Sequence, residues 1–597
     1  MKEAKLAEKF ILGGSFLYDD VPAEEMFTPE DFTDEQKMIA DTTRDFVDNE
    51  IMPKVDEIEK KIKELSVGLL RKAGEIGLLG VDIPEEYGGM GLDKTSSMLV
   101  AENVGKTGSF AVTFGAHTGI GTLPIVYFGT PEQKKKYLPK FVTAEWVSSY
   151  SLTEPGSGSD ALSAKATATL SEDGKYYILN GTKMWLTNGG WADVYITFAK
   201  VDGDKFTAFI IDKATSGATF SKEEEKMGIH GSSTGELILD NAKVPVENVL
   251  GEIGKGHKVA FNILNIGRFK LGAEVLGAMK LITTEAVQYA KQRHQFGQPI
   301  SNFGLIKHKL GEMAIRTWVT ESMVYRTSGL IDSILESAVP GSANYEDITL
   351  EGIQEYAVEC SINKVFASEA LDYVVDEGVQ IYGGYGYSEE YPMARAYRDA
   401  RINRIFEGTN EINRLLIPGM LIRRATRGET PLLQKAQALM DEILGFSMPE
   451  ETEDEFLAEE TKILKNAKKI ALLLLGLAVQ KYMDKVRDEQ EILGHIADIS
   501  MEVYAMESAL NRVKKMAKTT AEDKLSIYVD IVRAYVNDSV NRINFSAQQA
   551  LPLVAEGDTL RTDLRILRRY TQYTPINTAL IRRKICDHMV EAEKYNL

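Results

Sequence analysis

The run Ile405-Phe406-Glu407-Gly408-Thr409-Asn410-Glu411-Ile412-Asn413 places one carboxylate between an aromatic ring and a glycine. The glycine leaves the main chain open to a close neighbour. A carboxylate held dry beside open backbone is what a base needs to take a proton from carbon, because burial raises its pKa toward neutrality. Alone, a Glu-Gly-Thr is an ordinary helix start. Here it closes a long ordered pattern. Gln380-Ile381-Tyr382-Gly383-Gly384-Tyr385-Gly386-Tyr387 lies upstream, then Tyr391-Pro392-Met393-Ala394-Arg395-Ala396-Tyr397-Arg398-Asp399-Ala400-Arg401-Ile402. That is a Gly-Gly turn, an aromatic-rich loop and a basic helix, in that order.

A second run lies about 250 residues earlier: Tyr150-Ser151-Leu152-Thr153-Glu154-Pro155-Gly156-Ser157-Gly158-Ser159-Asp160. By itself it reads as a flexible turn. It precedes Asn180-Gly181-Thr182-Lys183-Met184-Trp185-Leu186-Thr187-Asn188-Gly189-Gly190. Together these stretches resemble the two signature regions of the acyl-CoA dehydrogenases, a family of flavoenzymes. The resemblance covers residues 30 to 425. The chain continues for about 165 residues more, like the very-long-chain branch with its C-terminal helical extension, here of bacterial type. Asn302-Phe303-Gly304-Leu305-Ile306 and Val319-Thr320-Glu321-Ser322-Met323 also look like that branch.

The resemblance implies FAD as cofactor. Tyr150, Leu152, Thr153, Gly158 and Ser159 would present N–H groups and hydroxyls to an anionic ring and pyrophosphate. Trp185, Leu186 and Thr187 would flank the flavin. Arg293, Gln295 and Phe296 match the family's Arg-x-x-Phe-Gly, which reaches the FAD pyrophosphate of a neighbouring subunit. Gln380, Gly383, Gly384, Thr409 and Glu411 complete the cofactor set. Ser159, Asn265, Arg268 and Gly408 are the expected substrate contacts. Glu407 is the expected catalytic base, because the helix position that carries the glutamate in some relatives is Gly267 here. There is no Gly-x-Gly-x-x-Gly after a strand, no P-loop, and no metal-ligand spacing among the seven histidines and two cysteines, so no metal is expected.

The implied activity is oxidation of an acyl-CoA, of long chain, to the trans-2-enoyl-CoA within fatty-acid β-oxidation. Electrons would pass to electron-transfer flavoprotein. The acyl tunnel is expected past Phe114-Gly115-Ala116-His117-Thr118-Gly119-Ile120-Gly121, where small residues would deepen it. The alternatives are an acyl-CoA oxidase, or a DNA-damage-response or scaffold member of the superfamily without dehydrogenase turnover.

With 597 residues, the chain exceeds one core. Acids outnumber bases by 88 to 69, giving −19, which disfavours nucleic acid. Two cysteines, Cys360 and Cys586, give no disulfide framework. Met1-Lys2-Glu3-Ala4-Lys5 lacks the apolar core of a secretory signal. The longest apolar stretch, 470 to 479, is half a membrane span. A cytoplasmic protein with at most peripheral membrane contact is expected, and a homodimer, because the resemblance implies that the extension covers the surface through which shorter relatives tetramerise.

The fold expected is mainly α with a small central β domain. Residues 1–148 form an N-terminal helical domain and 149–250 a small antiparallel β sandwich or barrel, read from short β-type runs at 176–181, 194–199, 206–211 and 236–239. Residues 251–428 form a four-helix bundle carrying the base, and 429–597 a further helical domain of about four helices. Pro418 and Gly419, with the basic run 423–428, mark a boundary. The acidic 450–460 reads as a solvated connector. Finally, 308–327 echoes 494–513 at an offset of 186, with Glu321/Glu507, Ser322/Ser508 and Arg326/Arg512 identical. A duplicated helical unit is one reading of that echo; chance among amphipathic helices is the other.

Overall fold

The computed structural model describes residues 10–337, 345–444 and 456–597. Met1 to Lys5 and most of the acidic 450–460 stretch lie outside them. The N-terminal region is helical: α1 (Asp34–Phe46), α2 (Lys63–Glu75), α3 (Lys94–Gly105), α4 (Ser109–Gly115) and α5 (Pro131–Val142). A capping box starts α1. Thr33 Oγ1 accepts the Gln36 N–H at 3.1 Å, and Gln36 Oε1 accepts the Thr33 N–H at 3.0 Å. Helix α3 is buried along its whole length. It lies so close to α6 (Gly256–Gln292) that a Cβ on Gly105 would overlap the Glu274 carbonyl, and one on Gly277 the Glu102 carbonyl. Two glycines facing two carbonyls set that crossing.

The middle of the chain is an eight-stranded sheet: β1 (Ser148–Ser151), β2 (Thr167–Leu170), β3 (Tyr176–Thr187), β4 (Val194–Val201), β5 (Lys205–Asp212), β6 (Ala218–Phe220), β7 (Thr234–Pro245) and β8 (Val249–Leu250). The order is β6-β7-β3-β2-β4-β5-β8, with β1 paired to β4. Strands β4 and β5 are nearly continuous apolar runs because both faces are covered. The sheet is not wholly antiparallel: β1–β4 and β2–β4 run parallel.

Helix α6 opens the helical region that carries Glu407, with α7 (Gly304–Leu335), α8 (Ala357–Tyr382), α9 (Pro392–Ala400) and α10 (Asn410–Thr426). Helix α8 packs on α6, α7 and α10. Pro418 does not end α10. It lies inside that helix, buried, and the chain turns at Gly428, where φ is +74°. Among the described residues α11 (Leu432–Leu444) follows, and beyond the acidic stretch, where four or so helices are expected, lie five: α12 (Ala458–Tyr482), α13 (Gln490–Met516), α14 (Glu522–Val554), α15 (Gly557–Tyr570) and α16 (Thr578–Ala592). The Leu472–Leu475 run of α12 is core. No helix among the described residues is long and apolar enough to cross a membrane.

The two echoing stretches lie in α7 and α13, which pack against each other and exchange the same contacts. Arg326 donates to Glu507 (2.6 Å) and Ser508 (3.1 Å). Arg512 donates to Glu321 (2.7 Å) and Ser322 (3.1 Å). Arg326 lies over the Tyr504 ring at 4.4 Å, and Arg512 over the Trp318 ring at 4.5 Å. Trp318 and Tyr504 share the same offset. Residue i meets j and j meets i, the reciprocity of a two-fold interface, here within one chain.

Candidate active site

Glu407 lies in the turn leading into α10, with φ +58°, and Gly408 follows with φ +79°. An L side chain in that region costs about 1–2 kcal/mol, so the turn is held from outside. Its carbonyls do the holding. Arg268 Nε donates to the Glu407 carbonyl at 3.0 Å. Lys364 Nζ donates to the Gly408 carbonyl at 2.8 Å. Asn413 Nδ2 donates to the Gly408 and Thr409 carbonyls at 2.8 and 3.1 Å. Thr409 Oγ1 accepts the Ile412 N–H at 3.2 Å and caps α10.

The Glu407 side chain lies against α6 at Gly267. A Cβ there would stand 2.7 Å from the carboxyl carbon. Glu407 as a residue is half-buried, yet its Oε2 is sealed from solvent and has no hydrogen-bond partner. Desolvation pushes the carboxyl up to about 7, against the pull of Arg268 and Lys364. Arg268 is buried and donates to Asn265 Oδ1 at 2.9 Å, so these two expected substrate contacts form one unit beside Glu407.

Tyr150, on β1, is buried with its Oη unpartnered, and the Glu407 charge pushes its phenol further above the range that burial already sets. Glu407 and Tyr150 of the β domain therefore lie near enough to feel each other's charge. Ser151 Oγ and Thr197 Oγ1 are also buried without partners. Leu152 packs on the core. The Thr153 carbonyl accepts the Met184 N–H at 2.9 Å. A buried ion pair, Lys183–Glu154 at 2.6 Å, anchors the loop, and Glu154 also accepts the Lys165 and Ala166 N–H groups. Gly158 and Ser159 are exposed at its tip. Trp185 has φ +63° and is 55% exposed, Leu186 is buried, and the Thr187 carbonyl accepts Ser149 Oγ at 2.6 Å.

The remaining cofactor candidates form a second group. Arg293, Gln295, Gly383 and Gly384 line one cavity with Tyr289 and Tyr385. Arg293 lies 5.6 Å from the Tyr385 ring centre. Phe296 projects beside them, 93% exposed, and Gln380 is exposed in the last turn of α8. Glu411 is exposed in the first turn of α10, just after Thr409.

The segment 114–121 does not stand empty. The Glu274 carboxylate fills the space over Gly115, the Lys270 stem comes within 4.0 Å of a Cβ on Gly119, and Ser148 closes over Gly121. Those small residues admit side chains of the protein itself. Burial pushes Glu274 up to about 7, with Lys270 opposing and Glu407 adding to the rise. Among the described residues no group of three His, Cys, Asp or Glu could hold a metal ion.

Glu274, Asn413, Lys364 and the Lys183–Glu154 pair were not singled out from sequence. Lys364 had a signal: it shares a helix face with Cys360, Ala367 and Leu371, all buried, where a solvated lysine does not belong.

Models of the acyl-CoA dehydrogenase N-terminal, middle and C-terminal domains match residues 33–145, 149–242 and 254–421, and a second acyl-CoA dehydrogenase C-terminal domain model matches 466–569. The chain belongs to the acyl-CoA dehydrogenase family. It is 52% identical to a probable acyl-CoA dehydrogenase of Bacillus subtilis, covering 100% of both chains. It is 36% identical to the mitochondrial very long-chain specific acyl-CoA dehydrogenase of Rattus norvegicus, over 80% of this chain and 74% of that one. An acyl-CoA dehydrogenase from Bacillus anthracis, crystallised with FAD, superposes with a TM-score of 0.97 at 53% identity, covering 98% of this chain and 100% of that one. As a family member the chain is an acyl-CoA dehydrogenase oxidoreductase, mainly helical, with an extra C-terminal helical domain.

Proposed function

We propose that this chain is an FAD-dependent acyl-CoA dehydrogenase of fatty-acid β-oxidation in which Glu407 removes the α-proton of a long-chain acyl-CoA. The observation that carries this is the Glu407 carboxyl, poorly solvated, with one oxygen unpartnered and a neutral-range pKa. A base is most effective near its operating pH.

The residues fit an FAD. Tyr150, Ser151 and Thr197 leave buried hydroxyls unpartnered behind the 153–160 loop. A Cβ on Gly158, Gly383 or Gly384 would meet open space, so backbone there is free for close approach. Arg293 supplies a guanidinium for a pyrophosphate. When bound, FAD accepts the β-hydrogen as hydride, leaving trans-2-enoyl-CoA. The rest falls to the chain. Arg268, Lys364 and Asn413 take up the carbonyls of the Glu407 turn, which leaves the Glu407 N–H to polarise the thioester carbonyl. Asn265 and Arg268 hold the thioester end, Gly408 gives it room, and Ser159 meets substrate at the ring edge. Trp185 and Thr187 flank the ring. Gln295, Phe296, Gln380, Thr409 and Glu411 steady the remainder of the cofactor.

The Arg293 group serves a second protomer's cofactor in a homodimer, because α13 already covers α7. Electron-transfer flavoprotein is the acceptor. The long-chain reading is supported by the rat relative's stated specificity and by a cavity lined by Ala111, Val112, Val275, Ala278, Leu371 and Val375 beyond Glu274. Anaerobic titration of the yellow protein with acyl-CoAs of increasing length tests the assignment. Bleaching that strengthens toward long chains is expected, and no bleaching with any length would refute it.

Two further results follow. Activity needs ionised Glu407, so kcat/KM should rise with pH through about 7 and fall below it; a profile flat across neutrality would contradict this. Gly267→Ala puts a methyl against the carboxylate and should lower kcat about 100-fold with KM little changed, since a misplaced base loses rate rather than binding. An unaltered kcat would show that the carboxylate does not rest on Gly267.

A further inference from the structure

Lys364 is fully buried in α8, and its ammonium makes two short contacts. It donates to the Gly408 carbonyl at 2.8 Å and to Asn410 Oδ1 at 2.6 Å. Asn410 is fixed in turn: its amide donates to Ser368 Oγ and Glu369 Oε1, both at 3.0 Å. Glu369 is clamped by Arg414 through both oxygens. A chain of polar contacts thus runs from α8 through the first residue of α10 to the carbonyl next to the base. A buried ammonium is costly unless it has a task or a partner. Among the described residues no carboxylate forms an ion pair with this one, and Glu407 is the leading charge acting on it.

We propose that Lys364 is a positioning residue for the base: by tying the Gly408 carbonyl to Asn410 it fixes the left-handed Glu407–Gly408 turn, and it sets a positive charge behind the Glu407 carboxylate. The charged and titratable groups facing Glu407 are Arg268 and Glu274 from α6, Lys364 from α8 and Tyr150 from β1. Those facing Lys364 are Glu407, Arg268, Glu369 and Glu411. Arg268 is already engaged with the Glu407 carbonyl and Asn265. Lys364 is therefore the second cation that favours ionised Glu407, and the one whose removal leaves the Arg268 contacts in place. Burial brings Lys364 itself down to about 7, so each of the two groups favours the charged form of the other.

The inference rests on Glu407 being the base. The test is the pH profile of kcat/KM for the FAD-loaded Lys364→Met and Lys364→Arg variants, with flavin content measured alongside. Lys364→Met keeps the bulk and removes the charge. Its acid limb should move up by about one pH unit or more, with kcat reduced and KM within about twofold of wild type. Lys364→Arg restores the charge and should bring the midpoint back. Should Lys364→Met fail to fold, Asn410→Asp leaves the lysine in place and sets a carboxylate beside it, and its midpoint should also rise. A flavin-loaded Lys364→Met or Asn410→Asp with an unmoved midpoint overturns the Lys364 role while leaving the base intact. Retained turnover in Glu407→Gln would instead remove the base assignment itself.

Discussion

Glu407→Gln abolishes turnover while leaving flavin content and acyl-CoA binding intact: this is the largest effect expected of any single change. The amide has the size of the carboxyl and fits the same left-handed turn, whose contacts from Arg268, Lys364 and Asn413 all go to backbone carbonyls. The Glu407 Oε2 has no partner to lose. Stability should therefore change little. What disappears is the proton acceptor. General-base catalysis is worth roughly 10²–10⁴-fold, and the three atoms nearest a Cβ on Gly267 all belong to the Glu407 carboxyl, so the loss should lie at the upper end. Single-turnover mixing with acyl-CoA under anaerobic conditions reads it directly, and tight, non-bleaching binding is the expected signature. Turnover within tenfold of wild type would show that another group takes the proton.

Glu507→Ala has the largest expected effect on stability. Glu507 is 1% exposed and accepts from Arg326 at 2.6 Å and Lys468 at 2.5 Å. Its removal leaves buried Arg326 without a counter-charge, and leaves Lys468 only Asp20, at 3.1 Å. Breaking one side of a buried pair costs about 3–5 kcal/mol, and Arg326 keeps only the neutral Ser508 hydroxyl. The reciprocal change, Glu321→Ala, takes a carboxylate from Arg512 and Lys280, but Arg512 keeps Glu30 and Lys280 keeps Glu102. It should cost less. Urea unfolding compares the two. Replacing the Arg326–Glu507 pair together by Met and Leu should recover most of the loss, since well-packed apolar groups often match a buried pair. A cost for Glu507→Ala below about 1 kcal/mol would mean that the contact between α7 and α13 is solvated, and the reciprocity without energetic weight.

Some of this was legible in the sequence because the chemistry forces particular residues into particular places. The Glu407 turn needs a glycine after the base and a capping hydroxyl after that, and both stand in the text. Strands β4 and β5 were readable because they are buried on both faces. Strand β1 was not. Four residues, three of them serine, carry no apolar period, and Ser148–Ser151 becomes a strand only by pairing with β4. Pro418 misled because local propensity counts it as a breaker, whereas burial against the bundle holds it within α10. The small residues of 114–121 have two readings, a deeper tunnel or room for close packing, and a cavity does touch Phe114, Gly115 and Thr118. Glu274 and Lys270 on α6 come in over Gly115 and Gly119, and nothing in a single sequence says which distant side chain will do so. The echo at offset 186 showed three shared residues; their mutual contact emerges only when α7 and α13 are laid side by side.

The account depends most on where the α-proton goes. Solvent deuterium entering the α-carbon of a saturated acyl-CoA, followed by mass spectrometry on FAD-loaded protein, measures that step apart from the final electron acceptor. Wild-type protein should exchange that position, faster as the pH rises through about 7, and Glu407→Gln should not exchange it at all. Exchange that persists undiminished in Glu407→Gln would contradict the account at its centre.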